Sequence, residues 1–78
     1  MVTAEQIRSY IEAGLRCKEL RVAGDGEHFE ALIVSEAFRG KNRVQRHQLV
    51  YAALGDRMRG EIHALSMRTL TPEEAADG

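Results

Sequence analysis

The stretch KELRVAGDGEHFEALIVS, residues 18–35, decides the fold. Its centre, Gly24-Asp25-Gly26, is a turn by its glycine content. After the turn, residues 28–35 carry Phe29, Ile33 and Val34, side chains that favour a pleated, half-buried strand. Before it, residues 18–23 alternate, with Leu20 and Val22 inward and Glu19 and Arg21 outward. The segment therefore reads as a β-hairpin, and the rest of the chain must extend or cover it.

Upstream, Thr3 and Gln6 have the Thr-x-x-Gln spacing of a capping box. Ile7, Tyr10, Ile11 and Leu15 then recur at steps of three and four, the period of one helical face. Gly14 suits the left-handed position that closes a helix. Downstream, a loop with Gly40 leads to Asn42, an N-cap with Gln45 three residues on. Val44, His47, Tyr51, Leu54 and Met58 fall on one stripe, which predicts a long amphipathic helix tolerant of Gly55 and stopped at Gly60. Residues 62–70 form a third extended run. In it Ile62 and Ala64 argue for one buried face, Leu65 and Met67 for the other. Thr71-Pro72-Glu73-Glu74 opens a last short helix, with proline at its first position and acids against the dipole. Residues 75–78 are expected to fray.

The order is helix, strand, strand, helix, strand, short helix. A strand–helix–strand connection makes a right-handed crossover between parallel strands. With the hairpin added, the expected fold is a single α/β (α+β) domain over residues 1–78, a mixed three-stranded sheet with helices on one face.

A chain of 78 residues holds one domain, and 44% hydrophobic with 29% charged residues is a globular balance. No apolar run is long enough to cross a bilayer and no basic start precedes an apolar stretch, so a cytoplasmic protein without a membrane partner is expected. One cysteine, Cys17, rules out an internal disulfide framework. The formal net charge is −1, but residues 37–55 hold no Asp or Glu while carrying Arg39, Lys41, Arg43 and Arg46. Glu73, Glu74 and Asp77 lean the other way. This asymmetry marks a basic face for a partner or for nucleic acid.

Several spaced motifs then converge. Gly24-Asp25-Gly26-Glu27-His28-Phe29 is followed by Val34-Ser35-Glu36-Ala37-Phe38-Arg39-Gly40-Lys41. Next come Arg46-His47-Gln48-Leu49-Val50-Tyr51, Ile62-His63-Ala64-Leu65 and Leu70-Thr71-Pro72-Glu73. Together they resemble the BolA family from Ile7 to Glu74, and the compact Gly-Asp-Gly turn is similar to its shorter members. The resemblance implies a fold similar to the KH nucleic-acid-binding fold. It also implies a monothiol glutaredoxin as partner, sharing a [2Fe–2S] cluster, with roles in cluster delivery or iron sensing. Some members of the family are DNA-binding regulators, so DNA is a second partner that the resemblance admits.

A [2Fe–2S] cluster takes four ligands, thiolates as a rule, with histidine able to replace some. One cysteine and three histidines on different elements, without a Cys-x-x-Cys pair, are not a complete set. Two imidazoles from this chain and two thiolates from elsewhere would complete it. In the family the thiolates belong to the glutaredoxin and its bound glutathione. By the same resemblance His63 matches the ligand histidine at the start of the last strand, and His28 the variable histidine-or-cysteine loop. Read without the resemblance, His63 is an ordinary hydrogen-bonded strand residue. His47, on the apolar stripe, is expected to be buried and hydrogen-bonded, and Cys17 to be a packed residue with nothing nearby to lower its pKa.

Gly40-Lys41-Asn42-Arg43 precedes a helix start, where free N–H groups attract anions. A KH domain clamps nucleic acid there with Gly-x-x-Gly, and here Arg43 replaces the second glycine. No catalytic motif is present: the chain shows no Ser/His/Asp order, phosphate loop or HExxH. The expectation is a non-catalytic adaptor using His63 and His28, with a nucleic-acid-binding regulator using Arg39, Lys41, Arg43 and Arg46 as the alternative.

Overall fold

The computed structural model describes residues 2–78. Helix α1 (Ala4–Gly14) leads into strands β1 (Glu19–Gly24) and β2 (Phe29–Val34). A 3-10 turn over Glu36–Phe38 precedes helix α2 (Arg43–Leu54), and a second over Ile62–Ala64 precedes strand β3 (Leu65–Leu70). Helix α3 (Pro72–Asp77) ends the chain. The sheet order is β1-β2-β3, with β1 antiparallel to β2 and β3 parallel to it. The α+β domain with a mixed sheet is the one expected from the sequence.

The register explains the core. Leu20 faces Ile33 and Thr69 across the sheet, Val22 faces Ala31 and Met67, and Phe29 faces Leu65. These residues share the face packed on α1 and α2, because side chains alternate along a strand. Phe29, Ala31, Ile33 and Leu65 join Ile7, Ile11, Val50, Leu54 and Met58 in one cluster. The open question about the third strand is resolved by where it begins. Ile62 and Ala64 lie in the 3-10 turn, outside the alternation, so Leu65, Met67 and Thr69 define the inward face.

All three helices begin with capping boxes, from Thr3 with Gln6, Asn42 with Gln45, and Thr71 with Glu74. Each satisfies two otherwise orphaned N–H groups. Helix α3 continues through Asp77, where Gly78 N–H donates to the Glu74 carbonyl. Residues 75–77, where fraying was expected, continue the helix.

Three local readings are corrected. Helix α2 stops at Leu54 rather than at Gly60, because Gly55 takes φ +61° and its N–H returns to the Tyr51 carbonyl. The buried stripe of α2 is Val50, Ala53 and Leu54, while Val44 and Tyr51 are 65% and 41% exposed. The stripe is rotated because Arg46 lies under it, its side chain 12% exposed and its guanidinium carbon 5.9 Å from the Phe38 ring centroid. A pattern that counts only apolar residues does not include an arginine stem. Gly14 has no positive φ. Its role is close approach: a Cβ there would stand 2.9 Å from both Cα and Cβ of Ala53 on α2.

That contact yields a first prediction. Gly14→Ala should destabilise the domain by about 1–3 kcal/mol, the usual cost of overpacking, despite alanine's better helix propensity. The added Ala53→Gly change should recover part of the loss. Urea unfolding of the two variants checks this, and a neutral or stabilising Gly14→Ala would contradict the packing.

Candidate functional site

Parallel pairing puts the starts of β2 and β3 at one end of the sheet. His28 immediately precedes Phe29, and His63 stands two residues before Leu65, with Phe29 and Leu65 in register. Neighbouring strands lie roughly 4.8 Å apart, so the two histidines leave from adjacent strand ends. Both are exposed, and neither imidazole has a hydrogen-bond partner among the described residues. His63 sits in the 3-10 turn, not in β3 itself.

The loop carrying His28 is held by Asp25, which sequence reading treated only as a turn residue. Its Oδ1 accepts from the backbone N–H of His28 at 3.0 Å and of Glu27 at 2.9 Å. Those two bonds hold the Asp25 carboxyl below its ordinary pKa, the His28 bond contributing most. Asp25 N–H in turn donates to the His28 carbonyl, and a Cβ on Gly24 would stand 2.5 Å from that oxygen. The signal was present as an Asx turn, an Asp bonding the backbone two and three residues on.

No group of three or more His, Cys, Asp or Glu side chains able to hold a metal ion occurs among the described residues. Cys17 is far from the histidines. Lys18 N–H bonds the Val34 carbonyl at 2.7 Å, so Cys17 lies at the opposite end of β2, about 20 Å away at 3.3 Å per residue. It is half-buried, its Sγ donates to the Leu15 carbonyl at 3.4 Å, and burial followed by the Glu12 charge pushes its pKa up. A thiol in that setting is a weak nucleophile. Two exposed imidazole donors, with no cysteine nearby, fit half of a cluster's ligand set and not the whole.

His47 does not match its expectation. It is half-buried rather than buried, and packs edge-on to Tyr51, ring centroids 6.4 Å apart. Burial, then the Arg43 charge, lowers its pKa.

The basic residues lie at the other end of the sheet, after β2 and at the start of α2. Arg39 pairs with Glu36 and, at 2.6 Å, with Glu73. Arg46 pairs with Glu74 at 2.7 Å and also donates to the carbonyls of Thr69 and Lys41. Two of the four cations are thus tied to acids of the chain itself, mainly on α3. Lys41 and Arg43 make no ion pair among the described residues.

The result is a small α+β domain with a β-α-β crossover, two solvent-facing histidines at one sheet end and a cationic end opposite. The model of the family described as BolA-like protein matches residues 7–74, and the chain belongs to that family. It is 39% identical over 72 residues to the acid stress protein IbaG of Escherichia coli, covering 91% of this chain and 86% of that protein. Over 67 residues it is 45% identical to SufE-like protein 1, chloroplastic/mitochondrial, of Arabidopsis thaliana. That match covers 85% of this chain but 18% of the plant protein, so there the domain is a small part of a longer polypeptide. A solved bolA protein homologue from Coxiella burnetii superposes with a TM-score of 0.84 at 45% identity, covering 97% of this chain and 99% of that one. No helix among the described residues is long and apolar enough to cross a membrane.

The Glu74 carboxylate has its pKa lowered from 4.5 to about 2, first by Arg46 and next by the Thr71 backbone N–H. A depressed carboxylate contributes its stability in full above the unfolded pKa and loses it as pH falls toward the folded one. Glu74→Gln keeps the capping geometry and removes the charge. The variant should therefore show a shallower fall in melting temperature between pH 4.5 and pH 2 than the parent. Circular-dichroism melts at both pH values test this, and parallel curves would assign the acid sensitivity elsewhere.

Proposed function

We propose that this chain is a non-catalytic adaptor that binds a monothiol glutaredoxin and contributes His63 and His28 to a shared [2Fe–2S] cluster. The observation that carries the reading is the parallel β2–β3 register, which gathers both exposed imidazoles at one end and leaves Cys17 at the other. A donor set of two imidazole nitrogens calls for two thiolates from outside, and a glutaredoxin cysteine with its glutathione supplies that number. When bound, the cluster would supply electron-accepting iron, and histidine ligation raises its potential relative to thiolate. This chain's part is to present the two nitrogens and a docking rim, with Asp25 setting the backbone from which His28 projects.

The alternative, a nucleic-acid-binding regulator on the basic face, draws support from Lys41 and Arg43 at the start of α2. It is weakened by the ion pairs of Arg39 and Arg46, since phosphate would have to displace Glu73 and Glu74. The ring beside Arg46, Phe38, is fully buried and offers no face for a base to stack on.

Titration of the protein into cluster-loaded monothiol glutaredoxin with glutathione, followed by visible absorption and circular dichroism, tests the adaptor reading. A saturating spectral change is expected. His63→Ala should abolish it, and His28→Ala should alter or weaken it. A spectrum unaffected by His63→Ala removes that residue from the ligand set, and no change with wild-type protein rejects the adaptor.

A further inference from the structure

Strand β3 is an edge strand, paired only with β2. Leu70 carbonyl accepts from Ser35 N–H, so Ser66, Arg68 and Leu70 direct their backbone groups toward β2. Met67 and Thr69 then direct theirs outward, and the Thr69 carbonyl is met there by Arg46. Both outward N–H groups and the Met67 carbonyl have no partner among the described residues. Beside this edge runs a groove of about 460 Å³ between β3 and the start of α2. Lys41, Arg43, His47 and Arg68 line it, and no carboxylate does.

We propose that the outer edge of β3 takes up an extended, acidic segment of a partner protein as a fourth strand, seated in this groove. Strand addition supplies the alternating acceptors and donors that Met67 and Thr69 lack, while side chains of every second residue set specificity. The cations choose the partner. Lys41 and Arg43 are exposed and without an ion pair, so acidic side chains on the α2 side of the incoming strand meet charges already free. A second copy of this chain is disfavoured there, because pairing β3 with β3 would bring two sets of these cations together. Nucleic acid would satisfy the cations and leave the backbone edge unpaired, and the His47 ring that lines the groove is half-buried against Tyr51. This surface is separate from the histidine end, so it stands or falls independently of the cluster ligands.

The probe is an end-capped seven-residue peptide of alternating glutamate and valine, compared with its lysine–valine twin and with decathymidine. Amide resonances of the isotope-labelled protein are followed during each titration, together with hydrogen exchange at Met67 and Thr69. The glutamate peptide should slow exchange of these two amides, and the lysine twin should not. The exposed double change Lys41→Glu with Arg43→Glu suits a helix start and should preserve the fold. It should weaken glutamate-peptide binding about tenfold or more. Equal binding of the lysine twin, or shifts at Lys41 and Arg43 without protection of Met67 and Thr69, overturns strand addition. Decathymidine occupying the groove while the glutamate peptide fails to bind overturns it in favour of nucleic acid.

Discussion

Two parallel strands cannot be joined by a tight turn, and the β2–β3 pairing is the constraint on which the rest depends. The chain must leave the end of β2, cross the sheet and return to the start of β3. Helix α2 makes that return on one face, and α1 packs beside it, close enough that only glycine fits opposite Ala53. The crossover also divides the molecule chemically. Residues after β2 and at the start of α2 gather at one end, and residues before β2 and β3 at the other. The histidine end and the cationic end follow directly from strand direction.

Arg46 ties the cationic end to the remaining element. Its stem fills the position that an apolar residue would take on α2, and its guanidinium spans the Lys41 and Thr69 carbonyls and Glu74. A side chain 12% exposed with this many partners is a fixed part of the architecture. Helix α3, six residues long, buries no residue fully and relies on its capping box and on ion pairs to α2 and the preceding loop. Two of the three acids that make the C-terminus look like a separate acidic tail, Glu73 and Glu74, are in fact counter-ions of the basic segment. The net charge of −1 conceals this internal pairing.

The caps, the hairpin turn and the strand alternation were legible because each is local: Thr3 with Gln6, Asn42 with Gln45 and Gly24-Asp25-Gly26 act within a few residues of chain. The family motifs, spaced from Ile7 to Glu74, carried the fold, and they named His63 and His28 as a pair. Neither spacing nor composition could show that these two share a sheet end. Helix α2 was read with the wrong buried stripe because burial of an arginine depends on partners 23 and 28 residues away.

The sequence by itself determined the order of elements, their start signals and the absence of a full ligand set in one cysteine and three histidines, since these depend on residue type and short spacing. Only the tertiary structure decided which of the basic residues are paired and that, among the described residues, the outer edge of β3 has no strand partner. Those properties arise from contacts between distant segments, and strand direction and register set them.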